Sequence, residues 1–310
     1  MEIDLVYLWV DGSDPAWLSR KNAFLGIVDS DNDTNCKGRT VSNDELKYSL
    51  RSVEKHLPWI RKIFIVTDQQ IPVWLNISNS KIQIIDHTNI LPKESLPCYN
   101  SVVLEYFLYR IPSLSEHFLY ANDDMFFNTN LLPSFFFGKD GYPVVRLRRK
   151  LFGKWRYVWK QLRGQKLSTF RQTILLAAQL VKEKYGKYYS GVPHHNIDAY
   201  RKSDYQNAIE VVFKDEIIAT QQHHLRTVND IQRAAFLYYT LAIGHGHLKY
   251  VNYFESKRIG VDKKEYEYYF RKYKPSLFCF NDGESVTDAD RQRMKTFLDR
   301  YFPTKSSFEK

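Results

Sequence analysis

Cysteine is scarce in this chain of 310 residues: Cys36, Cys98 and Cys279 are odd in number and far apart. That usage excludes a disulfide framework and the paired spacing of a structural zinc site, and it fits a reducing compartment. No apolar run approaches the roughly eighteen residues that cross a bilayer. The opening stretch, Met1 to Gly12, carries acids at Glu2 and Asp4 and passes straight into a strand pattern, so no signal peptide is expected. A cytoplasmic location follows as the expectation. With 44% hydrophobic and 26% charged residues the composition is globular, neither disordered nor membrane-spanning.

Acid is missing altogether from Gly141 to Val181, where ten cations stand, among them Arg146, Arg148, Arg149, Lys154, Arg163 and Arg171. Removing those ten from the 45 basic residues leaves 35 against 35 acids, so the net charge of +10 resides in this one segment. Within it Leu151, Trp155, Val158 and Leu162 recur at helical spacing with Phe152 and Trp159 beside them, which predicts an amphipathic basic helix. Such a helix suits an anionic membrane surface or a polyanionic polymer, or else packs on a core with its basic face solvated. No nucleic-acid partner is expected.

The rest is organised around Glu116 to Phe127, EHFLYANDDMFF. Phe118 to Ala121 read as a short buried strand that ends abruptly in Asn122, Asp123 and Asp124. Two adjacent carboxylates past a strand's carboxyl end repel each other where open α/β sheets receive ligands. A hard divalent cation relieves that repulsion, and Mg²⁺ is typically held by one or two carboxylates plus substrate phosphates. A solvated Asx-rich turn uses the same residues.

Along the chain, Ile3 to Val10, Lys62 to Thr67 and Lys81 to Asp86 are further strands. The turn Asp11-Gly12-Ser13-Asp14-Pro15 follows the first of them, where Asp11 or Asp14 could hydrogen-bond a ribose or base. Ser42 with Glu45 matches a capping box for a helix whose buried stripe is Leu46, Leu50, Val53 and Leu57. Lys47, Arg51 and Lys55 form the opposite face. A short helix is expected over Ile71 to Leu75, one capped by Asn100, one from Asn229 to Ile243, and one begun by Thr287 with Asp290. Strands alternating with helices imply a Rossmann-like α/β fold, a mostly parallel doubly wound sheet.

These residues carry a resemblance. DLVYLWVDGSDP, NDELKYSLRSVEKHLPWIRKIFIVTDQQIPVWLN and LSEHFLYANDDMFF resemble the first two signature regions of the Stealth family of capsular and exopolysaccharide sugar-phosphotransferases. Val192 to Asn196 with His224-Leu225-Arg226 resembles the third region, and Phe278 to Asp282 with Phe302 to Glu309 the fourth. The resemblance implies transfer of a sugar-1-phosphate from a UDP-sugar to a glycan or lipid-linked glycan hydroxyl, releasing UMP. Asp124, with Asp123 and Asn281 or Asp282, would then hold Mg²⁺ or Mn²⁺. His195 would be the base, with His194 as its rival, and Arg226 would sit on the diphosphate. Expected substrate-binding residues are Asp11, Gly12, Asp14, Asn43, Glu45, Arg51 and Asn122. Residues 1–144 and 190–310 form the expected catalytic domain, and 145–189 a basic helical insertion whose stretch 146–171 touches the inner face of an anionic membrane.

Overall fold

The computed structural model describes residues 1–26, 43–150, 155, 158–159, 162–165, 167–283 and 285–310. Its first sheet has the order β3-β2-β1-β4-β8. β1 (Ile3–Leu8), β2 (Ile63–Thr67), β3 (Ile82–Asp86) and β4 (His117–Asn122) run parallel. β8 (Asp198–Arg201) closes the edge antiparallel to β4.

Both faces of this sheet are buried, which is why its strands read as continuous apolar runs. Alternate residues serve two different cores, as a period of two requires. Val6, Phe64, Phe118 and Tyr120 face one core with the helices Thr169–Tyr185 and Ala234–Ala242. Leu5, Tyr7, Ile65 and Leu119 face the other, against Leu46, Leu50 and Val53 of the helix Glu45–His56.

A second sheet, β10-β11-β5, takes up the chain directly after β4. β5 (Met125–Phe127) pairs antiparallel with β11 (Leu277–Asn281), and β11 parallel with β10 (Ser256–Gly260). An aromatic core of Phe126, Phe278, Phe280 and Phe297 joins it to the helices Tyr266–Tyr273 and Asp288–Tyr301. A third sheet places β6 (Val144–Arg148) between β7 (Val192–Pro193) and β9 (His247–Tyr250).

The stretch 145–189 is therefore not all appended: it begins inside β6, and the helix Thr169–Tyr185 buries Ile174, Ala177 and Val181 in the first core. The amphipathic helix expected around Leu151 to Leu162 falls largely outside the described residues, as does Ser42. The helix after it starts at Glu45 with Asp44 at the cap, so Glu45 is the first helical residue and not the third. Ile71 to Leu75 is a turn, not a helix. Asn100 and Thr287 do cap their helices, Thr287 in a reciprocal box with Asp290. Among the described residues no helix is long and apolar enough to cross a membrane.

Candidate active site

In the order β3-β2-β1-β4, the chain reverses direction of growth between β1 and β4, and such a switch point is where open α/β sheets bind ligands. Leu8 stands opposite Asn122 there, so the loops after the two strands are neighbours. The loop after β1 is self-organised. Asp11 accepts from Ser13 N (2.9 Å) and Oγ (2.6 Å), Asp14 caps the helix Pro15–Leu25, and Gln70 bonds both Asp11 and Asp14. Gly12 lies in the turn between them.

Asp123 and Asp124 form the turn by which the chain leaves the first sheet and enters the second. Ala121 and Met125, on either side, are fully buried, which fixes both carboxylates in place. Phe280 N donates to the Asp124 carbonyl (3.1 Å), so β11 delivers Asn281 and Asp282 to the same spot. Asp282 is held by Arg291 (2.7 Å). Glu45 arrives from its helix, accepting from Asn43 N (2.6 Å) and Nδ2 (2.7 Å). Asn122 Oδ1 takes the Tyr120 hydroxyl (2.8 Å).

Burial and mutual repulsion raise three of the acids at this turn. Burial pushes Asp124 up to about 7, with repulsion from Glu45 and Asp282 adding and Arg233 opposing. Burial raises Asp123 well above the carboxylate range, aided by Glu45 and Asp124, and it raises Glu45 against the bonds from Asn43. Asp124 Oδ1 is buried with no hydrogen-bond partner among the described residues. An all-oxygen, mutually repelling set with an unsatisfied carboxylate fits a hard cation. Among the described residues no three His, Cys, Asp or Glu side chains are grouped closely enough to hold a metal ion by themselves. Phosphate oxygens and water would have to complete the shell.

The turn between β7 and β8 brings two histidines with opposite environments. His194 is fully buried, with Nδ1 on Ser256 Oγ (2.9 Å) and Nε2 facing Asp198 Oδ1 (3.3 Å). His195 adopts φ 56°, in the left-handed region, and its carbonyl accepts from Cys279 Sγ (3.3 Å) beside β11. Its ring meets Phe170 at an edge and makes no hydrogen bond among the described residues. Burial, then Arg233, Arg258, His194 and Arg148, bring its imidazole down to about 3, so the ring is neutral.

Two expected site residues stand elsewhere. Arg51 binds Glu309 through Nε (2.8 Å) and Nη2 (2.7 Å) and the Phe302 carbonyl through Nη1 (2.7 Å), so its guanidinium ties down the chain's last residues. Arg226 makes no hydrogen bond to the carboxylates or His195; it donates to Ser101 Oγ, in a loop anchored by Asn100 on the His223 and Leu225 carbonyls. Sequence reasoning missed Arg233, which is buried between Glu105 (3.3 Å) and Asp198 (3.2 Å) and lies over the Tyr120 ring at 4.8 Å. It also missed Arg258, and it read Arg148 only as one basic residue of ten. Two adjacent cations inside a short strand, Lys257 and Arg258 of Ser256–Gly260, were the available signal for Arg258.

Three family models match: "Stealth protein CR1, conserved region 1" over 1–29, "CR2, conserved region 2" over 39–145 and "CR4, conserved region 4" over 270–310. A capsular polysaccharide phosphotransferase of Neisseria meningitidis serogroup B is 33% identical over 97% of this chain and 82% of its own length. The chain belongs to the Stealth family. An exopolysaccharide phosphotransferase of Lactiplantibacillus plantarum is 30% identical over all of the chain and 96% of the relative. One of Mycobacterium leprae is 36% identical, and the chain spans 57% of its length. Among solved structures, the galactosyltransferase LgtC with donor and acceptor sugar analogs is 10% identical, with a TM-score of 0.48 over 98% of this chain and 96% of that one. The Stealth regions matched contain Glu45, Asp123, Asp124 and Asp282; His195 and Arg226 lie in 146–269, between the second and third matches.

Proposed function

We propose that this Stealth protein transfers a sugar-1-phosphate from a UDP-sugar to a glycan hydroxyl, releasing UMP, in the making of a capsule or exopolysaccharide. The observation that supports the reading is the turn at Asp123-Asp124 between β4 and β5, bonded through the Asp124 carbonyl to β11, where Glu45 and Asp282 are near enough to raise the Asp124 carboxyl, together with a neutral His195 that feels Arg233, Arg258 and Arg148. Phosphoryl transfer asks for charge neutralisation, alignment and a base, and this arrangement offers each.

In the reaction the acceptor oxygen forms a bond to the sugar-bearing phosphorus, and the bond from that phosphorus to the oxygen of UMP breaks with its electron pair. His195 takes the hydroxyl proton. A base held down to about 3 is weak, but after burial, the largest cause, its leading depressants are cations. A dianionic donor lying on those cations cancels their field and raises the imidazole toward working range. Mg²⁺ or Mn²⁺, held by Asp124 with Asp123, Asn281 or Asp282, would supply neutralisation of the diphosphate charge. His194, bonded on both ring sides, holds the turn that presents His195.

A panel of UDP-sugars with Mg²⁺ and an oligosaccharide acceptor tests this by the nucleotide released. UMP is expected; UDP would show that the acid pair serves an ordinary glycosyl transfer instead. Ligand binding with neither nucleotide released would leave a non-catalytic module.

A further inference from the structure

Next to the recess, aromatic rings and cations alternate along β10 and the helix Tyr266–Tyr273. Lys257 Nζ lies 4.1 Å from the centre of the Tyr253 ring and 4.3 Å from Tyr273, and Lys272 lies 5.1 Å from Tyr268. Arg148 covers Tyr253 at 5.5 Å, and Arg149 covers Tyr250 at 4.8 Å. The acid nearest in sequence, Glu255, is already taken by Arg146 (2.6 Å) and Lys249 (2.9 Å). Among the described residues no ion pair engages Arg148, Arg149, Lys257 or Lys272. Tyr250, Tyr253 and Tyr268 remain 42%, 50% and 42% exposed.

The strip starts at the chemistry. Arg148 Nη2 donates to the Ser256 carbonyl (3.1 Å), the Ser256 hydroxyl meets His194 (2.9 Å), and the next residue is His195. Arg148 thus belongs to both the recess and the strip, and its charge weakens the protonated forms of His195 and Lys257 alike.

We propose that this strip binds the growing phosphodiester-linked glycan, with phosphates on Arg148, Lys257 and Lys272 and sugar faces on the tyrosine rings, and so leads the acceptor hydroxyl to His195. The proposal rests on the sugar-1-phosphate reading above, because that reaction leaves one negative charge per unit added. A neutral glycan would not need unpaired cations at intervals, and a polyanion without flat apolar faces would not need the rings. Tyr250 and Tyr268 each meet a single cation, which leaves a ring face for the C–H surface of a sugar, and Tyr253, although it meets two, is half exposed. A membrane would be met by inserted aliphatic and Trp side chains, whereas the strip's one exposed large ring without a hydroxyl is Phe254, 60% exposed.

The test uses a phosphodiester-linked oligosaccharide of about eight repeats, the neutral oligosaccharide of the same sugar, and phosphatidylglycerol vesicles, with binding measured by calorimetry on the full chain. The variant Tyr253→Ala/Lys257→Gln is expected to weaken binding of the phosphodiester oligomer at least tenfold. It should leave neutral-oligomer and vesicle binding unchanged, and UMP release with a monosaccharide acceptor within twofold. Lys272→Gln/Arg149→Gln, confined to side chains with exposed tips, is the second variant should the first unfold, and a threefold or greater loss is expected there. Unchanged oligomer binding in both variants overturns the proposal. So does a loss of vesicle binding in place of oligomer binding, which would make the strip a membrane face. If the wild type binds the phosphodiester oligomer through the strip yet releases no UMP from any UDP-sugar, the proposed reaction fails while the binding surface stands.

Discussion

His194 and His195 are neighbours in sequence with opposite situations in the fold: one ring is bonded on both sides and fully buried, the other is unbonded in the recess. His195→Ala is therefore expected to lower kcat by roughly 10² to 10⁴ with little change in melting temperature, as removal of a general base does. His194→Ala should instead lower stability by about 1–3 kcal/mol, since it strands the Ser256 hydroxyl and Asp198; a melting curve and a rate measured on both variants decide between them. The opposite pattern would make His194 the base. Asp124 allows a second test. A carboxyl whose folded pKa is raised binds its proton more tightly in the folded state, so its contribution is present below the ordinary 3.8 and is lost as pH rises through about 7. In metal-free buffer Asp124→Asn should accordingly raise the melting temperature at pH 8 and leave it nearly unchanged at pH 4, and in an assay with Mg²⁺ it should abolish turnover. Equal melting temperatures for wild type and variant at pH 8 would mean that Asp124 is not held in a repelling, desolvated recess.

At the scale of elements, what was legible in the sequence depended on whether the cause was local. β1 to β4 are parallel strands buried on both faces, so each is an apolar run with few polar interruptions, and the acidic turn stands out because it breaks one of them. The caps at Asn100 and Thr287 are local hydrogen bonds and were equally legible. Ile71 to Leu75 fails as a helix because distant partners claim it: Leu75 bridges to Glu309, Asn76 N donates to the Phe308 carbonyl (2.8 Å), and Lys310 N to Trp74 (2.9 Å). Arg51 is likewise claimed by a distant partner, Glu309, which lies 258 residues away. Arg233 was hidden because a buried cation in an apolar helix start has no periodic signature; only the fold sets Glu105 and Asp198 around it. The Arg51 geometry makes a sharp prediction. With side chains only 10% and 4% exposed, that pair is buried enough that Arg51→Ala should cost about 3 kcal/mol. The variant should show a lower melting temperature and a KM for UDP-sugar within twofold of wild type. A tenfold rise in KM at unchanged melting temperature would restore Arg51 to the donor site.

For the whole molecule, the question is what the excess of positive charge does once folded. The sequence offers it as one amphipathic helix, but the fold divides it. Arg146 is buried against Glu255 and the Phe135 carbonyl, and half-buried Arg148 is drawn to the Ser256 carbonyl and the Tyr253 ring, so neither joins an amphipathic helix. Among the described residues of the segment, Trp155 and Trp159 are 79% and 52% exposed and Leu162 is 80% exposed, with the Arg163 guanidinium 3.4 Å from the centre of the Trp159 ring. Exposed Trp beside cations suits an anionic bilayer interface, because the ring enters the headgroup layer while the charge meets lipid phosphate. Each cation near such a surface contributes about 1 kcal/mol, and the attraction decays over about 8 Å at physiological salt. Binding to phosphatidylglycerol vesicles is therefore expected at low salt, to weaken steeply by 0.5 M NaCl, and to disappear in Trp155→Ser/Trp159→Ser, with transfer to a short soluble acceptor retained. Vesicle binding that survives both serines would exclude ring insertion and leave charge alone. If soluble-acceptor activity collapsed in a folded double variant, these Trp side chains would instead serve the acceptor.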